Sequence, residues 1–336
     1  MRRTKNKTVE LLDLAIGYRT KGGTKVTAKG LNGALFSGEL TCLIGSNGIG
    51  KSTLLRTLSA FQPKLSGEAL LAGKPVGSYT DAALSKLVSV VLTERVILNN
   101  TTLYELIEMG RSPYTGFWGR LSDGDREKIE EAIDLVRIRP LVTRQVHTLS
   151  DGERQKGMIA KALAQDTPVI FLDEPTAFLD FPAKVEMMQL LHRLSRETGK
   201  TIFLSTHDLE LALQISDKIW LLDQYAGLHI GTPEDLALQG VFTDFFSYKG
   251  IVFDQRSGLF RIENDYDREI RFIGRHAPIY SLLSKALLRH RILGSFKSES
   301  AETITADDGQ IVWTQADGTM DTFRSIESLI DALYED

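Results

Sequence analysis

The sequence predicts an α/β fold built on a parallel sheet, and three stretches predict it. The first is Gly45-Ser46-Asn47-Gly48-Ile49-Gly50-Lys51-Ser52-Thr53, entered by the apolar run 40–44 and left by a helical segment over 52–60. The second is Val169-Ile170-Phe171-Leu172, which ends on Asp173-Glu174-Pro175. The third is Thr201-Ile202-Phe203-Leu204-Ser205, which ends at Thr206-His207-Asp208. Apolar runs without polar alternation belong to strands buried on both faces. Such strands make parallel sheets, whose ligands gather at the carboxyl ends.

Composition sets the outer bounds. The chain has 336 residues, 42% of them hydrophobic and 25% charged, which suffices for two domains or one large domain with an appendage. Its 40 basic and 44 acidic residues leave a formal net charge of −4, so no overall field recommends nucleic acid or an anionic membrane as partner. No apolar run approaches the eighteen or so residues of a bilayer span, and the basic start, residues 1–7, lacks the apolar segment of a secretory signal and reads as a frayed end. The single cysteine, Cys42, reads as a small apolar strand residue; it permits no internal disulfide and fits a reducing compartment.

Taken in order, residues 9–15 read as a strand leading to Gly17-Tyr18, where the tyrosine ring can pack internally or stack on a base. Val26, Leu31 and Leu35 fit further short strands, and Gly38-Glu39 turns the chain into the run 40–44. At the glycine-rich stretch a strand turns sharply into a helix start, the place where anions bind. Gly45, Gly48 and Gly50 let the backbone turn its N–H groups inward, Lys51 reaches outer phosphates, and the Ser52 hydroxyl is placed to ligate Mg²⁺. The stretch reads as a nucleoside triphosphate site.

Residues 67–73 read as a strand closed by a glycine turn, and 88–92 as a buried strand. From Thr102 the apolar residues recur at helical spacing, Leu103, Leu106 and Ile107, then Ile129, Ala132, Ile133 and Val136, so a mostly helical insertion is expected over about 98–164. Its loop Gly110-Arg111-Ser112-Pro113-Tyr114-Thr115-Gly116-Phe117-Trp118-Gly119-Arg120 either caps the insertion's own core or forms a protein-binding surface. Leu149-Ser150-Asp151-Gly152-Glu153-Arg154-Gln155 precedes a helix. Ser150 and Asp151 suit capping, while a glycine at a helix start also admits a phosphate to the exposed N–H groups. Asp173, at a buried strand's end, can hold the Mg²⁺ shell, and Glu174 can polarise the water that attacks a γ-phosphate. His207 can hydrogen-bond that phosphate and water. Residues 219–222 read as a strand and 227–233 as a hairpin and stop.

With these pieces in order, the chain resembles the ATP-binding subunits of ABC transporters over about residues 8–250. The resemblance implies an ABC-type nucleotide-binding domain with a helical subdomain at about 98–164, acting as an ATPase on ATP with Mg²⁺. It places Tyr18 at the base-stacking position and Gly45, Ser46, Asn47, Gly48, Gly50, Lys51, Ser52 and Thr53 in the Walker A motif. Ser150, Gly152 and Gln155 fall in the signature motif, Asp173 in Walker B with Glu174 as catalytic base, Ala177-Phe178-Leu179-Asp180 in the D-loop, and His207 at the switch position. It also implies two subunits sandwiching two ATP molecules head to tail, so that Ser150 and Gly152 of one face the γ-phosphate held by Lys51 of the other. Where the family usually has a glutamine, this chain has Thr93-Glu94-Arg95; Glu94, or Thr93 in a register one residue away, is then the expected metal contact.

Gly110-Arg111-Ser112-Pro113-Tyr114, Ser122-Asp123-Gly124-Asp125-Arg126 and Phe178-Leu179-Asp180-Phe181-Pro182 resemble the branch that imports iron–siderophore complexes, haem and cobalamin. That implies integral-membrane permease subunits and, indirectly, a periplasmic or lipoprotein substrate-binding protein. It also implies an ATP-dependent homodimer, no nucleic acid, and a peripheral place on the cytoplasmic face of a bacterial inner membrane. The alternative is a soluble non-transport ABC ATPase acting on nucleic acid or ribosomes; such proteins usually carry two cassettes or a coiled-coil insertion, and this sequence shows neither heptads nor a basic arm. A phosphate-loop GTPase or kinase would leave the signature stretch and His207 without a role.

Residues 251–336 exceed a minimal ATP-binding subunit and read as a small α+β accessory domain. Strands are expected at 251–253, 259–262, 269–273, 302–305, 310–314 and 320–323, with turns at Ser257-Gly258, Asp308-Gly309 and Asp317-Gly318. Helices are expected at 279–292 and 326–334. No metal spacing or nucleophile constellation accompanies them.

Overall fold

The computed structural model describes residues 6–20, 23–93, 100–116, 119–223, 227–246, 251–254, 259–262, 265–275, 278–307 and 309–335. They fall into two compact units, Met1–Phe245 and Phe246–Asp336.

The first unit runs β1 (Lys7–Thr20), β2 (Gly23–Phe36), β3 (Leu40–Ile44), α1 (Lys51–Leu58), β4 (Ser66–Leu71), β5 (Lys74–Pro75), α2 (Asp81–Leu84) and β6 (Val88–Val91). It continues through α3 (Leu103–Glu108), α4 (Asp123–Val136), α5 (Asp151–Ala164), β7 (Val169–Asp173), α6 (Phe181–Thr198), β8 (Thr201–Ser205), α7 (Leu209–Ile215), β9 (Lys218–Asp223), β10 (Gly227–Gly231), α8 (Pro233–Leu238) and α9 (Val241–Phe246), the last residue of which opens the second unit. Six strands form a sheet in the order β10-β9-β3-β8-β7-β6, parallel except for the antiparallel edge β10. Every residue of β3, β7 and β8 is buried, which is why the sequence shows them as unbroken apolar runs.

An antiparallel sheet, β2-β1-β4-β5, supplies the second layer. Its Leu11, Leu14, Leu31 and Leu35 join Leu54, Leu55 and Leu58 of α1 and Leu43, Phe171, Phe203 and Trp220 of the parallel sheet in one core. Phe171, Phe203 and Trp220 meet edge to face, with centroids 5.9 and 5.0 Å apart. The short strands expected around Val26, Leu31 and Leu35 are one long strand, β2, because β1 stays paired with it through several register shifts. Asp13, at φ 47°, lies among those shifts, and Gly67 of β4 comes so close to it that a Cβ would stand 2.0 Å from the Asp13 carbonyl oxygen.

The insertion is helical, as its spacing predicts. Thr102, Ser122 and Ser150 each open a helix with a capping box, closed by Glu105, Asp125 and Glu153 respectively. Arg111 of the aromatic loop turns inward: its guanidinium pairs with Asp125 at 2.8 Å, donates to the Ala164 carbonyl at 2.6 Å and lies 3.9 Å from the Tyr114 ring centroid. Arg111 therefore belongs to the insertion's core, while Tyr114 stays 37% exposed. Phe117 and Trp118 lie outside the described residues.

The second unit comprises β11 (Ile251–Asp254), β12 (Leu259–Ile262), β13 (Arg268–Ile273), α10 (Pro278–Arg289), β14 (Ile292–Ser295), β15 (Thr303–Asp307), β16 (Gln310–Thr314), β17 (Met320–Phe323) and α11 (Ile326–Glu335). β11 and β12 form a hairpin, and the others a five-stranded sheet in the order β14-β13-β15-β16-β17. β14 and β15 run parallel to β13 on either side, and β16 and β17 follow antiparallel. The helix expected to continue to 292 stops at Arg289. Arg291 adopts φ 61°, the chain reverses, and Ile292 starts β14 instead. Ile270, Phe272, Ile304 and Trp313 of the sheet pack with Leu283 and Leu287 of α10 and Leu329 of α11. Of the expected turns, Ser257, Gly258 and Asp308 lie outside the described residues.

Candidate active site

A cleft of about 770 Å³ opens at the carboxyl end of β3, lined by residues 46–53, by Tyr18, by Lys25, Val26 and Thr27, and by Glu174 and His207. Its floor is the loop between β3 and α1. Gly48 at φ 78° and Gly50 at φ 115° hold backbone conformations that side chains resist. A Cβ on Gly50 would also come within 2.5 Å of Thr27 Cγ2, and one on Gly45 within 2.8 Å of the Leu222 carbonyl oxygen.

Lys51 is only 6% exposed and curls back over this loop, donating to the carbonyls of Gly45 at 2.9 Å and Ser46 at 3.3 Å. Burial pushes its ammonium pKa down, while Glu174 and Asp173 oppose that shift. A buried cation answered only by carbonyls and nearby carboxylates suits a site that receives phosphate oxygens.

The carboxyl ends of β7 and β8 close the far wall. Asp173 accepts from Ser52 Oγ at 3.0 Å and from Ser205 Oγ at 2.6 Å. Thr93 Oγ1 donates to the Asp173 carbonyl at 2.7 Å. Glu174 lies just beyond the strand end: it takes φ 49°, and its N–H donates to Ser205 Oγ at 2.9 Å. That turn brings its Oε2 to 3.6 Å from His207 Nδ1, with both side chains reachable by solvent. Tyr18, 44% exposed, shares a 2.9 Å hydrogen bond between its hydroxyl and Thr53 Oγ1, so its ring stands at the rim of the cleft.

Ser52 and Asp173 fit a magnesium ion. They are hard oxygen donors within 3.0 Å of each other, a pair suited to an ion held together with phosphate oxygens and water. Glu94, the third expected metal contact, lies outside the described residues.

The structure thus brings together Tyr18, Ser46, Asn47, Gly48, Gly50, Lys51, Ser52, Thr53, Glu174 and His207 in one cleft, with Gly45 and Asp173 beneath it. Ser150, Gly152 and Gln155 do not line it. Ser150 is the exposed N-cap of α5, accepting from the Glu153 N–H at 3.2 Å. Gly152 lies in the first turn of that helix, where a Cβ would meet only Leu179 Cδ2, at an ordinary 3.8 Å. Two contributors were not singled out from the sequence: Ser205, which ties Asp173 to Glu174, and Thr27, which packs against Gly50. A serine ending a buried apolar run beside His207 is the signal that could have found the first.

The family model for ABC transporters matches residues 28–177. An uncharacterised ABC transporter ATP-binding protein of Methanocaldococcus jannaschii is 38% identical over 253 residues, 75% of this chain and 86% of the relative. The iron(3+)-hydroxamate import ATP-binding protein of Bacillus subtilis is 34% identical over 245 residues, covering 73% and 90%. The petrobactin import ATP-binding protein FpuC of Bacillus anthracis is 35% identical over 223 residues, covering 66% and 82%. Among solved structures, cbiO1 of Clostridium perfringens, part of an ABC transporter complex, is 25% identical with a TM-score of 0.61, covering 73% of this chain and 96% of that one. A dimeric ATP-binding cassette in a post-hydrolysis state with ADP and Pi is 25% identical with a TM-score of 0.58, covering 67% and 98%. With these likenesses covering the cassette and the phosphate loop set among its strand ends, the chain belongs to the ATP-hydrolysing, ATP-binding proteins of ABC transporters.

Proposed function

We propose that this chain energises an importer for iron–siderophore complexes, working as a homodimer beneath permease subunits at the cytoplasmic face of a bacterial inner membrane. The cargo class rests on relatives that carry petrobactin and iron(3+)-hydroxamate import in their names; haem and cobalamin belong to the same resemblance without a relative of that name in support. No helix among the described residues is long and apolar enough to cross a membrane, so the membrane passage falls to a partner. A periplasmic or lipoprotein substrate-binding protein is expected on the far side, and nucleic acid is not an expected ligand. The division of labour that goes with this reading is residues 8–250 for the cassette and 251–336 for an accessory unit.

One observation carries the dimeric mechanism. The cleft holds the phosphate loop, Glu174 and His207 with Asp173 beneath it, yet Gly152 lies in the first turn of a helix that does not line it, and among the described residues a Cβ there would meet only Leu179 Cδ2, at an ordinary 3.8 Å. A glycine that intramolecular packing does not require is accounted for when the N–H groups of α5 meet an anion brought by a second copy. Lys51 and the loop N–H groups then hold the β- and γ-phosphates of ATP, Tyr18 takes the base, and Ser150 and Gly152 of the other copy cover the γ-phosphate, with Gln155 following in the same helix.

Ser52 and Asp173 would hold the magnesium ion, which would supply charge neutralisation at the phosphates. The Thr93 hydroxyl donates to the Asp173 carbonyl at 2.7 Å, close to the proposed metal position, and the remaining metal contact falls to Thr93 or Glu94; a selective loss of ATPase activity in Thr93→Ala or in Glu94→Ala assigns it. Glu174 accepts a proton from the attacking water as its oxygen bonds to the γ-phosphorus and the bond to the β–γ bridging oxygen breaks. His207, 3.6 Å from that carboxylate, orients the water and the γ-phosphate. The test is Glu174→Gln purified from its own cells with ATP and mild detergent, its companions identified by mass spectrometry. A polytopic permease encoded beside a substrate-binding protein is expected; recovery of ribosomes, nucleic acid or only soluble partners overturns the importer reading.

A further inference from the structure

We propose that Asp208 is a positioning residue that keeps Glu174 and His207 in register, through a clamp made with Thr176 and Lys184. The inference rests on the reading of Glu174 as the base. β7 and β8 are parallel neighbours with Asp173 opposite Ser205, and their ladder stops there. Glu174 and His207 stand just past the strand ends, so side chains must fix their spacing.

Two links do so, one on each side of the pair. Ser205 Oγ accepts from the Glu174 N–H at 2.9 Å and donates to Asp173 at 2.6 Å. Further along, Thr176 Oγ1 donates to Asp208 Oδ2 at 3.2 Å, and Lys184 Nζ, from α6, reaches Asp208 Oδ1 at 3.1 Å. The obvious local role for Asp208 is to cap α7, which it precedes, but its side chain makes no cap hydrogen bond. Its carboxylate is spent across the gap instead.

The segment it holds needs holding. Thr176 is 1% exposed, so its hydroxyl depends on an internal acceptor. It lies between two non-glycine residues in left-handed conformation, Glu174 at φ 49° and Phe178 at φ 66°. Such backbone persists only where its surroundings over-determine it. With the clamp opened, the segment is held only at the Glu174 N–H, by Ser205, and the Glu174–His207 distance is no longer fixed from both sides.

The test is steady-state ATPase kinetics of the full-length protein. Asp208→Ala is expected to lower kcat by about tenfold to a hundredfold while KM for ATP stays within about twofold, since misplacing a catalytic group by about 1 Å has that order of cost. Asp208→Asn keeps an acceptor oxygen for Thr176 and is expected to recover most of the loss. Thr176→Val is expected to lower kcat similarly, and the double variant Asp208→Ala/Thr176→Val to be no slower than the worse single variant. Parent kcat in Asp208→Ala or in Thr176→Val overturns the proposal, as does a loss in Asp208→Ala that Asp208→Asn does not relieve. Glu174→Gln, assayed alongside, separates the two levels. Hydrolysis at the parent rate there removes the base reading itself, whereas an inactive Glu174→Gln beside a parent-like Asp208→Ala removes the clamp alone.

Discussion

Gly152 and Cys42 separate what a residue does for the fold from what it does for chemistry. A Cβ at Gly152 would have van der Waals room inside its own chain, and alanine suits a helix better than glycine, so Gly152→Ala is expected to keep or slightly raise the melting temperature. The same methyl group would occupy the approach of a phosphate to the start of α5, and ATPase activity is expected to fall by about tenfold or more, the scale of losing one oriented backbone contact to a reacting oxyanion. A Gly152→Ala variant with parent activity would remove that helix start from the site. Cys42 is the reverse case. It is fully buried in β3, and burial pushes its thiol up to about 12. At pH 8 only about one thiol in ten thousand would then be ionised, so thiol reagents are expected to leave the native protein unmodified and to label one equivalent after denaturation. Rapid labelling of the native state at pH 8 would contradict the burial. The roles of these residues were unequally legible. The phosphate loop announces itself through glycine spacing. Ser205 does not, because its use depends on where the Glu174 N–H turns, and that turn follows from a left-handed φ that no local pattern encodes.

At the scale of elements, the helical insertion depends on one buried charge pair. Arg111 and Asp125 keep side-chain exposures of only 8% each, and Asp125 also closes the capping box of α4. Arg111→Ala would leave the carboxylate without its counter-charge and the Ala164 carbonyl without its donor, a loss on the order of 3 kcal/mol measurable by urea unfolding. The Ser122 hydroxyl and N–H, with Arg111, hold the Asp125 carboxyl below its ordinary range. A depressed carboxylate contributes stability in full above its unfolded pKa, about 3.9, and loses it as pH falls through the folded value. The stability gap between the parent and Asp125→Asn is therefore expected to be widest near pH 7 and to shrink below about pH 4; a gap independent of pH would mean that the charge is not what matters. Sequence periodicity found α3, α4 and α5 because their buried faces repeat at helical spacing. It misjudged α10, since Ile292 falls where a further helical apolar residue would, and only the reversal at Arg291 hands it to a strand. It also divided β2, whose pairing with β1 depends on shifts that a partner strand supplies.

At the scale of the whole molecule, two hydrophobic cores among the described residues each lie in one unit: β1–β4, α1 and the parallel sheet in the first, β13–β16 with α10 and α11 in the second. The phosphate loop, Asp173, Glu174 and His207 all belong to Met1–Phe245. A ligand that binds only the native form raises the stability of the unit that holds it by RT ln(1 + [L]/Kd), about 2.7 kcal/mol at a hundredfold excess over Kd. Applied to Glu174→Gln, where hydrolysis does not consume the nucleotide, Mg²⁺ and ATP at that excess are expected to raise one calorimetric transition by about 5–10 °C. The transition of the C-terminal unit is expected to stay where it was. Two transitions of which only one responds would show that Phe246–Asp336 folds and melts on its own core and takes no share of the nucleotide. A single transition, or two that move together, would instead mean that the C-terminal unit gains stability from the occupied site, and a regulatory coupling between the accessory unit and ATP would replace the accessory role proposed for it.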